Sequence, residues 1–126
     1  MNIRLIDGLP YVTATLTFRG SQLTLDKVVL DTGSAGTVLP ADKVSAIGLV
    51  AEPTDAVRQI FGIGGAESVF SKQVNHLAVG ELDVADFDIQ IGALDYNIDI
   101  DGIIGFDFLA RVGALIDLLR LEIRNA

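Results

Sequence analysis

The sequence predicts an all-β fold with one or two short helices. Apolar residues alternate with threonines from Tyr11 to Phe18, and Gly20 separates this run from a second apolar-rich run that ends at Leu30. Alternation with period two on both sides of a glycine turn is typical of a β-hairpin. The longest irregular stretch, residues 92–97, is too short for a linker. Residues 1–126 are therefore expected to form one domain.

The remaining elements follow from the same signals. Two strands are expected within Val57–Val79 around a glycine-rich tip, and further strands at Leu82–Ile91, Ile98–Ile104, Ala114–Leu118 and Leu121–Ile123. Short helices are expected at Pro40–Ala46 and Phe106–Arg111, because Gly48 and Gly113 are placed to terminate them.

Composition excludes several functions. The chain has 17 acidic and 9 basic residues, a net charge of -8, which would repel nucleic acid, so no nucleic-acid partner is expected. It contains no cysteine, which excludes disulfides, thiolate metal sites and cysteine nucleophiles. The single histidine, His76, excludes a multi-histidine metal centre, and no Gly-x-Ser-x-Gly element supports serine catalysis.

The segment from Met1 to Leu16 mixes charged residues and Pro10 among its apolar residues, unlike a signal peptide. No apolar run approaches the roughly 20 residues that cross a bilayer. We therefore expect a cytoplasmic protein without a membrane segment in this chain.

One short motif suggests chemistry. Asp31-Thr32-Gly33-Ser34 directly follows the apolar run Val28–Leu30, so a carboxylate would emerge from a rigid strand into a tight turn. The same four residues also suit an ordinary turn, because Asp, Gly and Ser are common turn formers. The motif alone therefore leaves a catalytic acid and a structural turn as open alternatives.

Three segments together resemble one family. Asp31-Thr32-Gly33, the glycine-rich stretch Phe61-Gly62-Ile63-Gly64-Gly65 and the later Ile103-Ile104-Gly105 resemble, in order and spacing, the retropepsin-like aspartic peptidases. The resemblance extends over most of the chain, from Tyr11 to Ile123. It implies the acid protease fold, a retropepsin-like closed β-barrel, and an aspartic endopeptidase that needs no cofactor and no metal.

The resemblance also implies a role for each matched residue. Asp31 corresponds to the catalytic carboxylate and Thr32 to the threonine that forms hydrogen bonds across the dimer axis. Gly33 corresponds to the residue that lets the backbone approach the substrate. Ile103, Ile104 and Gly105 correspond to the structural loop through which the catalytic loop threads. The flap that closes over bound peptide corresponds to the stretch Phe61, Gly62, Ile63, Gly64 and Gly65. A glycine-rich surface turn would give the same sequence pattern.

A homodimer is expected from the chemistry. Aspartic peptidases use two carboxylates that share one proton, so that one acts as base and the other as acid. The sequence has a single Asp-Thr-Gly, so the second carboxylate is expected from a symmetry-related copy. The expected partners are therefore a second copy and a peptide or protein substrate. A non-catalytic peptide-binding or assembly module with the same fold is the alternative.

Ser34 and one acidic segment complete the candidates. The Ser34 hydroxyl is expected either to donate to the Asp31 carboxylate, which would lower the pKa of the pair, or only to cap the turn.

Asn97–Gly102 imitates the start of a calcium loop, but position twelve is Phe108 rather than the required Glu, so calcium binding is not expected.

Overall fold

The computed structural model describes residues 1–62, 65–94 and 99–126. Its strands are β1 (Arg4–Ile6), β2 (Leu9–Phe18), β3 (Ser21–Leu30), β4 (Val38–Pro40), β5 (Val57–Gly62), β6 (Gly65–Val79), β7 (Leu82–Gly92), β8 (Gly102–Ile104), β9 (Ala114–Asp117) and β10 (Glu122–Asn125). Its helices are α1 (Ala41–Val44), followed by a 3₁₀ turn at Ser45–Ile47, and α2 (Phe106–Val112).

Eight strands form one sheet in the order β1-β2-β3-β8-β4-β7-β6-β5, and β2 also pairs with β6. This extra pairing, in which Leu16 lies opposite Leu77, closes six of the strands into a ring. The closed β-barrel of the acid protease fold is thereby confirmed. Strands β9 and β10 form a separate two-stranded sheet.

The alternation in β2 places its apolar side chains inside the ring. Val12, Ala14, Leu16 and Phe18 are all buried, whereas the intervening threonines are half-buried. Such burial stabilises the folded state by about 1.5–3 kcal/mol for each large apolar side chain. The largest cluster extends to Phe108 of α2, whose ring meets that of Phe87 edge-on with centroids 6.0 Å apart.

The predicted helices are present, with small differences at their ends. Gly48 ends the 3₁₀ turn with φ 78° and Gly113 ends α2 with φ 64°, a conformation that glycine adopts without a side-chain penalty. The first helix is α-helical only from Ala41 to Val44. In the part of the chain that the structure describes, no helix is long and apolar enough to span a membrane.

The strand predicted from Ile98 to Ile104 is wrong in its first half. Only Gly102–Ile104 is a strand, and Ile98 lies outside the described residues. Before β8 the chain is held differently: the Asp101 N–H donates to the Lys27 carbonyl at 2.8 Å, and the Lys27 N–H donates to the Asp101 carboxylate at 3.1 Å. A register shift between β2 and β3 next to Lys27 accompanies this contact. The short strands β1 and β4 were not predicted, since three residues carry too little periodicity.

One buried lysine ties the segment before β5 to the barrel. The Lys72 ammonium, on a side chain only 6% exposed, lies 2.6 Å from both Glu52 Oε1 and Asp55 Oδ2. Its hydrogen bonds lower the pKa of both carboxyls below their ordinary values of 4.5 and 3.8. Burial opposes the charge of Lys72, but the bonds to Asp55 and Glu52 outweigh it and raise its pKa. All three groups are therefore charged at neutral pH.

The cluster of Lys72, Glu52 and Asp55 makes the stability of the folded protein depend on pH. Because the carboxyl pKa values are lowered on folding, their contribution is present above the unfolded values and is lost as pH falls through the folded ones. We expect Lys72→Met to lower the urea midpoint at pH 7, and the difference from wild type to shrink below about pH 4. Lys43→Met, which removes an exposed lysine 3.6 Å from Asp101, is the matched control and should change the midpoint little. A difference that persists undiminished at pH 3 would contradict this account.

Candidate active site

Asp31 lies at the point where β3 leaves the barrel. Its N–H donates to the Ile104 carbonyl at 2.9 Å, which continues the parallel pairing of β3 with β8 by one residue. The residue is half-buried. Its backbone therefore has the rigidity of the sheet, while its side chain retains access to solvent.

The turn after Asp31 is organised around its own carboxylate. Oδ1 accepts a hydrogen bond from the Gly33 N–H at 2.9 Å, and the Asp31 carbonyl accepts one from the Ser34 N–H at 3.1 Å. A side chain at Gly33 would place its Cβ 3.3 Å from Oδ1. The carboxylate is thus oriented by the main chain of the motif, and the small size of Gly33 keeps the space next to Oδ1 open.

The Ser34 hydroxyl makes a different bond from the one expected. Its Oγ donates to the Gly36 carbonyl at 2.8 Å, and a hydroxyl has a single proton to donate. The expectation that it donates to Asp31 is therefore wrong. The alternative, a hydroxyl that stabilises the turn, is what the structure contains.

The Ile103-Ile104-Gly105 segment packs directly against this turn. A Cβ built on Gly105 would lie 2.4 Å from the Gly36 carbonyl oxygen and 2.9 Å from that of Ser34. No side chain fits at such distances. The backbone also joins the two segments, because the Phe106 N–H donates to the Ser34 carbonyl at 2.7 Å. Position 105 requires glycine because two main chains meet there.

A buried threonine and an aspartate, neither singled out from the sequence, hold these segments together. The fully buried Thr37 hydroxyl donates to Asp107 Oδ1 at 2.8 Å and accepts from the Gly105 N–H at 3.1 Å. The Thr37 N–H donates to Asp107 Oδ2 at 3.1 Å, and the Phe108 N–H donates to Oδ1 at 2.8 Å. Asp107 in the first turn of a predicted helix was the available signal, because acidic residues there bond free N–H groups.

Two open clefts flank the turn. One, of about 310 Å³, is mostly apolar and is lined by Thr32, Phe106, Leu109, Ala110, Gly113, Ala114 and Ile116. The other, of about 410 Å³, lies beside Ala35 and Gly36 and carries charges of both signs, from Arg58, Arg111, Asp86 and Asp88. Thr32 itself is exposed. The apolar cleft therefore lies at the Thr32 end of the turn, and the charged cleft lies at the Gly36 end.

The glycine-rich stretch is only partly covered. Phe61 and Gly62 end β5 and Gly65 begins β6, with Gly62 opposite Gly65 in an antiparallel pair. Ile63 and Gly64 lie outside the described residues. The pairing of β5 with β6 agrees with a hairpin, and the role of this hairpin as a flap stays a prediction. So do the roles assigned to Asp31, Thr32 and Gly33.

Over residues 1–62, 65–94 and 99–126, no three His, Asp or Glu side chains converge as they would around a metal ion. Of the segment that resembles a calcium loop, Asn97 and Ile98 lie outside the described residues. Asp99 and Asp101 lie 3.7 Å from Lys27 and 3.6 Å from Lys43, respectively.

The Thr37 network predicts a stability effect. Thr37→Val keeps the side-chain shape but leaves the Gly105 N–H without its acceptor and removes one of the two hydrogen bonds to Asp107 Oδ1. Such a loss costs about 1–3 kcal/mol, so the urea midpoint should fall accordingly. Thr15→Val, a half-buried threonine in β2, provides the matched control and should be close to neutral. Equal midpoints for the two variants would show that the network contributes nothing.

Comparison with known proteins agrees with this arrangement. The family model described as aspartyl protease matches residues 14–108, which include Asp31, the β5–β6 pair and the segment through Phe108. A comparison with curated proteins returned no match. Because the family model covers well over half of the chain, the protein belongs to the aspartyl protease family.

Proposed function

We propose that the chain is one subunit of an aspartic endopeptidase whose active site forms between two copies. The observation that supports this most is the position of Asp31. It stands at the end of a barrel strand, its backbone is bonded to Ile104, and its carboxylate is oriented by the Gly33 N–H. Two such carboxylates related by a twofold axis would form an acid–base pair.

A single copy supplies only one of the two carboxylates that the reaction needs. Hydrolysis of a peptide by this route needs one carboxylate to take a proton from water while another donates a proton to the carbonyl oxygen. The sequence holds one Asp-Thr-Gly, and Asp101-Gly102 has no intervening threonine. In addition, the Asp101 carboxylate accepts the Lys27 N–H at 3.1 Å, so it is engaged elsewhere. The second carboxylate is assigned to Asp31 of another copy.

The reaction would proceed without a covalent enzyme intermediate. The ionised Asp31 removes a proton from a water held between the two carboxylates, and the water oxygen bonds to the peptide carbon. The protonated Asp31 gives its proton to the carbonyl oxygen, which forms a tetrahedral diol. The C–N bond then breaks as the nitrogen takes a proton from one carboxyl and a diol hydroxyl gives its proton to the other carboxylate, leaving an acid, an amine and a pair that again shares one proton. The two groups titrate as a unit.

Substrate would bind as an extended chain. Peptides commonly bind next to strands through main-chain hydrogen bonds, while pockets select their side chains. The β5–β6 pair and the cleft beside Ala35 and Gly36 are the candidate contacts on this chain. Because this cleft holds Arg58 and Arg111 together with Asp86 and Asp88, it suits polar rather than large apolar side chains.

Asp31 is tested by one isosteric change. Asp31→Asn removes the base while keeping the shape, so cleavage of an unfolded protein should fall at least about 100-fold. Asp42→Asn, at an exposed acid in α1, is the matched control and should cleave like wild type. Cleavage is followed on gels at several acidic and neutral pH values.

The dependence on protein concentration separates the alternatives. If two copies form the site, specific activity should rise with concentration until the dimer saturates, and added Asp31→Asn protein should inhibit wild type by forming mixed dimers. Activity that survives the substitution would place the chemistry elsewhere. Wild type that binds peptide but never cleaves it would instead support the non-catalytic binding module.

A further inference from the structure

A buried glutamine lines the charged cleft beside the turn. Gln90 is only 7% exposed, yet it belongs to the lining of the cleft of about 410 Å³ at Ala35 and Gly36. The Ser71 hydroxyl donates to Gln90 Oε1 at 2.9 Å, and the Gln90 N–H donates to the Thr37 carbonyl at 2.9 Å. A Cβ at Gly36 would lie 3.3 Å from Gln90 Cγ, so the side chain also packs against the turn. The amide group therefore has a defined position.

The amide nitrogen of Gln90 is left to donate into this cleft. Because Oε1 is bonded to Ser71, the two N–H groups of Nε2 need other acceptors, and none occurs in the part of the chain that the structure describes. Among those residues, the side-chain atom that is fully enclosed without a hydrogen bond is Arg124 Nη1, so Nε2 has access to solvent. An amide held in place with its donors open to a cleft suits a ligand that accepts hydrogen bonds.

Two arginines extend this set of donors. Arg58 of β5 and Arg111 of α2 line the same cleft, and both are exposed. Neither guanidinium forms an ion pair or a side-chain hydrogen bond with a residue that the structure describes. Hydrogen bonds from such groups to a carboxylate are roughly twice as strong as those between neutral groups. The cleft therefore favours a ligand that carries a carboxylate.

The free acids of the cleft lie farther from the turn. Asp88 and Asp86 precede Gln90 by two and four residues along β7, which places them about 7 Å and roughly 13 Å from it. Asp107, the remaining acid of the lining, already accepts hydrogen bonds from Thr37. At the end next to the turn, the cleft thus presents the donor of Gln90, and acids that are free to bind a cation occur only towards its outer end.

We propose that Gln90 determines substrate specificity by donating to the terminal oxygen of an acidic side chain, which Arg58 and Arg111 bind from the walls of the cleft. The proposal rests on the proposed function, because this side chain belongs to the peptide that would be cleaved. A site built to donate rejects a side chain that cannot accept, since its donors would lose water without gaining a partner. Glutamate should thus be preferred to leucine and to lysine at one position of the substrate.

A set of peptides tests this preference. The peptides share a sequence that the protein cleaves within an unfolded protein, and they carry glutamate, glutamine, lysine or leucine at each position in turn. At neutral pH, where glutamate is ionised, kcat/KM at one position should be at least about 10-fold higher for glutamate than for leucine or lysine, as expected of hydrogen bonds to a charged group. Wild type that prefers lysine there, or that shows no preference at any position, overturns the proposal.

The variant Gln90→Glu tests the role of the amide. It keeps the shape and an oxygen for the Ser71 hydroxyl, but it replaces the donor by a second carboxylate oxygen that repels an acidic side chain. The ratio of kcat/KM for glutamate over lysine should therefore fall at least about 10-fold. Gln90→Leu, which removes both groups, should lower the ratio for glutamate over leucine. A folded Gln90→Glu protein that keeps the wild-type ratios overturns the proposal.

The charges on the walls are tested separately. Arg58→Gln and Arg111→Gln should each lower the ratio of kcat/KM for glutamate over glutamine, because they remove a charge and leave the Gln90 amide in place. Both arginines are exposed, so these variants keep the proposal testable even if the changes at Gln90 prevent folding. Gln22→Leu, at an exposed glutamine of β3 that does not line the cleft, is the control and should keep the wild-type ratios. Unchanged ratios in both arginine variants overturn the proposal.

Binding without cleavage separates this inference from the proposed function. Asp31→Asn protein is titrated into labelled alanine–serine peptides with a single glutamate, lysine or leucine, and Kd is measured by fluorescence anisotropy. Tighter binding of the glutamate peptide that is lost in Gln90→Glu, in a protein whose wild type cleaves nothing, overturns the peptidase and retains the specificity. Asp31-dependent cleavage without a Gln90-dependent preference overturns the specificity alone. Neither cleavage nor preferential binding overturns both.

Discussion

The contact between two main chains at Gly105 is the constraint on which the candidate site depends. A Cβ at this position would lie 2.4 Å from the Gly36 carbonyl oxygen, so the turn after Asp31 and the segment after β8 meet with no side chain between them. This proximity brings the Gly105 N–H within 3.1 Å of the Thr37 hydroxyl. The hydroxyl in turn reaches Asp107. The hydrogen bonds of Thr37 to Gly105 and Asp107 therefore stabilise the turn, and water cannot replace them because Thr37 is fully buried.

Closure of the barrel is what keeps these segments in register. Strand β8 pairs with β3 in parallel and meets β4 through Val38 and Ile103, so it is held on both sides. The β2–β6 pairing completes the ring, and a ring cannot splay as an open sheet can. The position of Asp31 is consequently determined by pairings that are distant in sequence, and the motif by itself does not determine it.

The sequence predicted those parts of the molecule that depend on local pattern. Alternation identified β2 and β3, glycines marked the ends of both helices, and the Asp31 motif with Ile103-Ile104-Gly105 pointed to the segments that meet. The partners of individual polar groups could not be predicted in this way. Ser34 bonds Gly36 instead of Asp31, and Thr37 finds Asp107 seventy residues away, because these choices depend on how two distant segments are positioned. Likewise, Asp101 interrupts the expected strand by bonding Lys27.

Helix α2 connects the hydrogen bonds that support the turn to strand β9. Asp107, in its first turn, is bonded to Thr37, while Gly113 at its end leads directly into Ala114 of β9. The helix is anchored between them by Phe108, which is fully buried against Phe87. The Thr37–Asp107 bonds that support the turn after Asp31 are therefore fixed to the barrel core through Phe108. The position of the carboxylate thus depends on the packing of α2 in the core as well as on the pairing of β3 with β8.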